Sequence, residues 1–170
     1  DIPLIQGTLF AAAFGSPVAH GVVKTLAITE ALAMTGVVAI FTHKDIPGEN
    51  QIGGIVPDEP LLAGEQVHFC GMPIALVVAT SIDAARAAVK KIQVTIDPLP
   101  VITDPREAKA KNELIIPPRT FLLGDTGNSW PYCTHIFEGV ADTNGQEHLY
   151  IETQGAYAIP QENNAIKVFS

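Results

Sequence analysis

The chain has 170 residues, 47% of them hydrophobic, and a formal net charge of −8 at pH 7. This length allows one complete domain, or one domain and part of the next, and the apolar content is that of an ordinary globular protein. The negative charge and the scattered basic residues argue against a nucleic-acid or anionic-membrane partner, which would need clustered Lys and Arg.

The cysteines and the hydropathy pattern limit the possible sites and the compartment. Cys70 and Cys133 are the only cysteines, and neither has a CxxC partner, so we predict no zinc or iron–sulfur site in this chain. Unpaired cysteines favour a reducing compartment, and we predict a cytoplasmic protein. No apolar run reaches membrane-spanning length. Because the chain starts at Asp1, we expect it to be a piece of a longer polypeptide.

The first 65 residues predict two strands, a short helix and a long loop. The strands cover residues 4–14 and 37–42, and Thr29 is a predicted cap for a helix over residues 30–34 that ends at Gly36. Pro47-Gly48 predicts a turn into an irregular loop over residues 49–65. Gly53-Gly54 in this loop is not interpreted as a phosphate site, because no GxGxxG pattern or following helix accompanies it.

The centre of the chain carries the clearest pattern. Residues 67–79 are mostly apolar with β-branched residues at the end, which predicts one strand buried on both faces. Thr80 lies three residues before Asp83 and predicts a capping box for a helix with apolar residues at helical spacing. A strand over residues 92–96 follows. The order strand, helix, strand predicts a sheet covered by a helix.

The last third of the chain predicts a connection followed by strands. Residues 101–131 are rich in Pro, charge and small polar side chains and are interpreted as a linker. Asn144-Gly145 predicts a hairpin between strands at 134–141 and 147–153, and two further strands are predicted at 156–160 and 166–169. Alternation along the second hairpin strand would place four polar side chains on one face: Gln146, His148, Tyr150 and Glu152.

The loops resemble those of a known family. The motifs that carry the resemblance are Gly15-Ser-Pro-Val-Ala-His20, His43-Lys-Asp-Ile-Pro-Gly-Glu-Asn50, Gly53-Gly54, Asp58-Glu59-Pro60, Gly71, Leu99-Pro100 and Gly124-Asp125. In this order they resemble the α/β hammerhead domain of the xanthine dehydrogenase and aldehyde oxidase family, the molybdenum hydroxylases, and are closest to xanthine dehydrogenase. Residues 145–154, GQEHLYIETQ, resemble the segment with which the molybdopterin-binding region of the same enzymes begins.

The resemblance implies an α+β fold and a domain order. Residues 1–102 would form the hammerhead domain, 103–130 a connecting segment, and 131–170 the first β-strands of the molybdopterin-binding domain. The parent would hydroxylate a purine, hypoxanthine or xanthine, with oxygen from water and pass electrons through Fe–S clusters and FAD to NAD. Its partners would be the remaining molybdopterin-binding domain and the Fe–S and FAD domains or subunits.

The family's active residues lie on motifs beyond Ser170, so we assign no catalytic residue and no metal ligand here and expect the isolated chain to be inactive and structural. Gln146 and His148 are the candidate cofactor-site residues, which would orient the walls of the molybdopterin site by hydrogen bonds. Alternatively, their strand face is merely solvated or holds an interdomain contact. His20 is interpreted as a loop histidine, because no second ligand type lies at metal-binding spacing.

Two alternatives to purine hydroxylation stay open. The parent is an aldehyde or N-heterocycle oxidoreductase of the same family, or the chain is a non-catalytic binding or assembly module with the hammerhead fold. In the isolated chain, the predicted strands at 147–153, 156–160 and 166–169 would lack the partners that they pair with in the intact subunit, and we expect self-association, or local disorder after Trp130.

Overall fold

The fold is that of a computed structural model, which describes residues 3–149, 151 and 155–170. The chain divides into two compact units, Asp1–Pro117 and Pro118–Ser170. This division falls inside the predicted connecting segment, and the predicted domain limits at residues 102 and 130 stay a prediction. None of the helices in the described part of the chain has the length and apolar character that a membrane span requires.

Among the described residues, the first unit contains two three-stranded antiparallel sheets, and the second contains one two-stranded sheet. The strands in chain order are β1 Phe10–Gly15, β2 Gly21–Ala27, β3 Val37–Thr42, β4 Gln66–Val67, β5 Pro73–Ala79, β6 Gln93–Pro98, β7 Tyr157–Pro160 and β8 Ile166–Phe169. The sheet orders are β1-β5-β3, β4-β2-β6 and β7-β8. The helices are α1 Thr29–Leu32, α2 Ile82–Val89, α3 Pro105–Lys111 and α4 Thr126–Ser129. This mixed content confirms the predicted α+β fold.

The core of the first unit lies on both sides of β5, as expected for a strand in the middle of its sheet. On one side Ala75, Val77 and Ala79 pack against the buried face of α2, which presents Ala85 and Ala88. Small residues on both elements let the helix approach the sheet closely. A second cluster of Ala63, Val67, Met72 and Ile74 packs against side chains from β2 and β6. The second cluster therefore joins the two sheets.

The predicted strand over residues 67–79 is wrong in its extent, because a turn over residues 68–72 splits it. β4 pairs with β2 in one sheet, whereas β5 pairs with β1 and β3 in the other. Gly71 has φ +89°, a conformation that only glycine adopts without strain. The apolar residues on both sides conceal this turn in the sequence.

Two further central predictions need correction. β5 and β6, the strands on either side of α2, lie in different sheets, so they do not form one sheet covered by that helix. β2 has no counterpart among the predicted strands. Lys24 interrupts the apolar pattern of β2 but lies at an exposed position, where it forms an ion pair with Asp97 of β6 at 3.2 Å.

The predicted helix starts are each displaced by one residue. The α2 cap is Ser81, whose Oγ accepts from the Ala84 backbone N–H at 3.1 Å, while the Thr80 N–H donates to the Gly36 carbonyl. The predicted Thr80–Asp83 capping box is therefore absent. Similarly, Thr29 is the first residue of α1 rather than its cap. The first residue of each helix depends on the backbone conformation of the connection before it. The spacing of apolar residues in the sequence does not specify that conformation.

A capping box does occur after β3, where the sequence predicts only a turn. The Thr42 backbone N–H donates to the Asp45 carboxylate at 2.7 Å, and the Lys44 N–H donates to the Thr42 hydroxyl at 3.3 Å. The bonds from Thr42 hold the pKa of Asp45 below its ordinary value. This local network fixes the entry into the long loop.

The chain between β6 and the final strands departs from prediction. The predicted linker contains α3, capped by Asp104 with Pro105 at its first position, and also α4. Residues 134–149, all described, contain no strand, so the predicted hairpin is not formed there. A lone hairpin is marginal without a third element to cover its apolar face, and Phe137 is 92% exposed. The predicted strands at the end of the chain are confirmed as β7 and β8. At the start of the chain, β1 begins at Phe10 rather than residue 4.

Candidate functional site

A cavity of about 840 Å³ lies in the first unit. Four loops contribute its walls: Ala19 and His20 before β2, residues 58–60 of the long loop, residues 68–70 and 72 of the turn between β4 and β5, and residues 100–103 after β6, together with Leu114 and Ile115. Motifs that are far apart in the sequence meet here, namely Ala19-His20, Asp58-Glu59-Pro60 and Pro100. Their convergence marks this cavity as the candidate site.

Hydrogen bonds fix the turn that forms one wall. The Ser16 backbone N–H donates to the Met72 carbonyl at 2.9 Å, and the Gly71 N–H donates to the Ser16 carbonyl at 2.8 Å. The Cys70 thiol donates to the same Ser16 carbonyl at 3.7 Å. Ser16 is itself 3% exposed, and its hydroxyl donates to the Val18 carbonyl at 2.7 Å. The turn is therefore attached to the loop that follows β1.

His20 holds another part of the walls. Its Nδ1 lies 2.7 Å from the Pro100 carbonyl oxygen, which can only accept, so Nδ1 carries the proton. Nε2 then accepts from the Gln66 amide at 3.1 Å. The Leu99 N–H donates to the His20 carbonyl at 3.0 Å. His20 is therefore a loop histidine, as predicted, but one that holds the end of β6 to β4.

We expect His20→Ala to free the chain after β6, because both ring hydrogen bonds are lost. At about 1 kcal/mol each, the loss in the free energy of unfolding should be about 2 kcal/mol. The measurement is urea unfolding followed by far-UV circular dichroism, with amide exchange of residues 99–103. His20→Asn is the control, because its amide N–H can replace Nδ1 as donor to Pro100, and it should lose about half as much. An equal loss of stability in both variants would contradict the role of the His20 Nδ1 hydrogen bond to Pro100.

The walls of the cavity combine apolar side chains with two carboxylates. Among the described residues, the walls carry two carboxylates, Asp58 and Glu59, and no Lys or Arg. The rings of His20 and His68 are 5.7 Å apart at their centroids. No group of three or more His, Cys, Asp or Glu in the described part of the chain could hold a metal ion. The cavity therefore presents apolar surface with negative charge.

The structure does not bring the predicted cofactor-site residues together on a strand. Gln146 and His148 lie in the irregular segment over residues 134–149 and are exposed. The His148 backbone N–H donates to the Glu147 carboxylate at 2.9 Å. Tyr150 and Glu152 lie outside the described residues. Neither Gln146 nor His148 lines the candidate cavity, and exposed side chains on an irregular segment form no cradle for a molybdopterin; their role beside one stays a prediction.

The second unit has a smaller cavity of about 300 Å³, lined by residues 123–126, 129, 130 and 133. Asp125 in its wall caps α4, accepting from the Asn128 backbone N–H at 3.0 Å and from its side-chain amide at 2.7 Å. These bonds hold the pKa of Asp125 below its ordinary value. The Asp125 carboxylate therefore has a structural role, as the cap of α4.

Comparison with known proteins gives consistent matches. The family model described as "Aldehyde oxidase and xanthine dehydrogenase, a/b hammerhead domain" matches residues 1–100. Xanthine dehydrogenase of Dictyostelium discoideum is 34% identical over 165 residues, which is 96% of this chain and 12% of that protein. Aldehyde oxidase 2 of Cavia porcellus is 34% identical over 172 residues, which is 100% of this chain and 13% of that protein.

A solved structure agrees with these relatives. The aldehyde oxidoreductase from Desulfovibrio gigas matches with a TM-score of 0.55 and 39% identity, over 57% of this chain and 12% of that one. The matched regions thus cover about an eighth of each of these proteins.

Proposed function

Because the chain belongs to the aldehyde oxidase and xanthine dehydrogenase family through its a/b hammerhead domain, we propose that it is the structural hammerhead part of a molybdenum hydroxylase, together with the opening of the molybdopterin-binding domain. The observation that carries the proposal is the family match over residues 1–100. The relatives' similarity across nearly the whole chain supports the same assignment for the residues that follow.

The proposed reaction of the parent converts a purine C–H bond and water into C–OH, two protons and two electrons. Molybdenum held by molybdopterin would supply the two-electron oxidation when bound, and Fe–S clusters and FAD would carry the electrons to NAD. We propose a purine substrate because the loop motifs most resemble those of xanthine dehydrogenase. The equal identity to an aldehyde oxidase, 34%, supports an aldehyde as the second candidate.

This chain's own contribution is proposed to be support rather than chemistry. The described residues contain no metal-ligand group of three, and the walls of the candidate cavity carry no Lys or Arg that could hold the phosphate of a pterin cofactor. In the second unit none of the described residues is fully buried, and Val140 is 97% exposed. Exposed apolar surface of this kind is typical of a part that packs against further protein. We propose that the remaining molybdopterin-binding domain covers it, in a cytoplasmic enzyme whose Cys70 and Cys133 stay free thiols.

The test uses the intact parent purified from its own source. We expect stoichiometric molybdenum and xanthine-dependent reduction of an electron acceptor, and no turnover by the isolated 170-residue chain. The same protein from cells supplied with tungstate in place of molybdate is the control, and it should lose turnover. Turnover of an aldehyde but not of xanthine would show that the parent is an aldehyde oxidoreductase of the same family. A properly matured parent without molybdenum would support the non-catalytic assembly module instead.

A further inference from the structure

The cavity in the first unit has an exposed apolar rim. Phe69 is 51% exposed, Val101 is 54% exposed and Ile115 is 95% exposed, and all three line this one cavity. Leu114 also lines this cavity and is 42% exposed. Scattered apolar side chains are ordinary on a surface, but several around one concave site indicate a place where another molecule binds.

Hydrogen bonds hold two of the segments that form the walls of the cavity. The turn that carries Phe69 is bonded to Ser16, and the chain that carries Val101 begins at Pro100, which is bonded to His20. The Met72 N–H also donates to the Phe69 carbonyl at 3.2 Å, and the His68 N–H donates to the Met72 sulfur at 3.3 Å. A preformed site loses little conformational entropy on binding. Because these hydrogen bonds already order the segments, the cavity can bind another molecule at a small cost in conformational entropy.

The charge of the cavity walls indicates which kind of group would bind there. In the part of the chain that the structure describes, the cavity walls bring Asp58 and Glu59 with no Lys or Arg to neutralise them. Both ring nitrogens of His20 are occupied, by Pro100 and Gln66. A bound group that is apolar along its length and cationic at one point would match both the rim and the carboxylates. Lys and Arg side chains between apolar neighbours have this character.

We propose that this cavity docks a polypeptide segment of the same parent protein, in which a Lys or Arg is flanked by apolar residues. The inference rests on the proposed function, since a parent of that class supplies the remaining polypeptide: the chain spans 12% and 13% of the two relatives' length. The volume of about 840 Å³ accommodates several side chains. The cation lies against Asp58 and Glu59, and the apolar neighbours cover Phe69, Val101 and Ile115.

The test is photo-cross-linking in the intact parent. A benzoyl-phenylalanine replaces Phe69, and after irradiation the cross-linked peptide is sequenced by mass spectrometry. We expect one peptide from outside residues 1–170 that contains Lys or Arg between apolar residues. The same probe at Val38, also 51% exposed but outside the cavity walls, should not give that peptide. A cross-linked peptide without a basic residue, or none at all, would overturn the proposal.

Charge variants test the role of the carboxylates. Asp58→Asn with Glu59→Gln keeps the side-chain size and should lower the yield of the Phe69 cross-link by about fivefold. Glu49→Gln, in the same loop but outside the cavity walls, should leave the yield unchanged. An unchanged yield in the double variant would remove the reason for a basic occupant and overturn the proposal.

The outcome is separable from that of the proposed function. A parent without molybdenum that still gives the cross-linked peptide would refute the hydroxylase and leave the docking site. A molybdenum-loaded parent that gives no cross-link would refute the docking site alone.

Discussion

Replacement of Ile74 by alanine should lower the free energy of unfolding of the first unit by about 3–4 kcal/mol, within the ~2–5 kcal/mol found for such truncations in protein cores. Ile74 is 1% exposed and belongs to the cluster that joins the two sheets. Several of its neighbours, such as Val67 of β4 and side chains of β2 and β6, belong to strands whose backbones are held by sheet pairing, so they cannot fully close the space that the substitution leaves. The loss in the free energy of unfolding should therefore include a contribution from the empty cavity as well as the lost burial of apolar surface.

The measurement is urea unfolding followed by far-UV circular dichroism, with amide exchange in β5. Tryptophan fluorescence is unsuitable because the sole tryptophan, Trp130, lies in the second unit. Ile74→Val is the matched control, since it removes a single methyl group and should cost about 0.5–1.5 kcal/mol. If alanine and valine cost the same, Ile74 does not join the sheets as described.

Replacement of Gly15 by alanine should have the second largest effect, because the added methyl group would overlap backbone. A Cβ at this position would lie 2.7 Å from the Gly71 carbonyl oxygen and 3.0 Å from its Cα. These atoms cannot rotate away as the end of a side chain could. The turn over residues 68–72 would have to move from Ser16 and lose the two backbone hydrogen bonds between them. The two lost bonds, at about 1 kcal/mol each, and about 1 kcal/mol of remaining strain give an expected loss of about 3 kcal/mol.

Gly54→Ala provides the control, since a Cβ there meets nothing within 4 Å and the backbone lies outside the left-handed region. It should change the free energy of unfolding by less than about 1 kcal/mol. Exchange of the Gly71 amide should accelerate in Gly15→Ala and not in Gly54→Ala. Equal stability of the two alanine variants would show that the turn does not approach Gly15 as closely as the structure places it. Because Phe69 lies on this turn, Gly15→Ala should also weaken its cross-link in the intact parent.

The elements predicted well from sequence are those that local pattern specifies. The α2 helix shows apolar residues at helical spacing, and its buried Ala85 and Ala88 follow directly from that pattern. β3, β7 and β8 are short, mostly apolar runs bounded by polar or turn residues, and the prediction for each is within one residue of its limits. The predicted hairpin failed because Asn144-Gly145 specifies a turn but supplies no surface on which its strands could be buried.

The candidate site shows the same limit. Each of its motifs is visible in the sequence, and together they identify the family, because each loop has characteristic residues. Their convergence is not visible, since His20 and Pro100 are 80 residues apart and no local pattern encodes a hydrogen bond over that distance.

The sequence by itself therefore determined the fold class, the central helix, the short strands and the family, all of which depend on residue type and short-range spacing. The tertiary structure alone decided that β5 and β6 enter different sheets, and that a turn at Gly71 divides an apolar run. It also brought Ala19-His20, residues 58–60 and Pro100 to one cavity. The physical reason is that sheet partners and loop contacts depend on burial and hydrogen bonding between segments that are far apart in the sequence. These interactions form only when the chain folds, so no local pattern of residues specifies them.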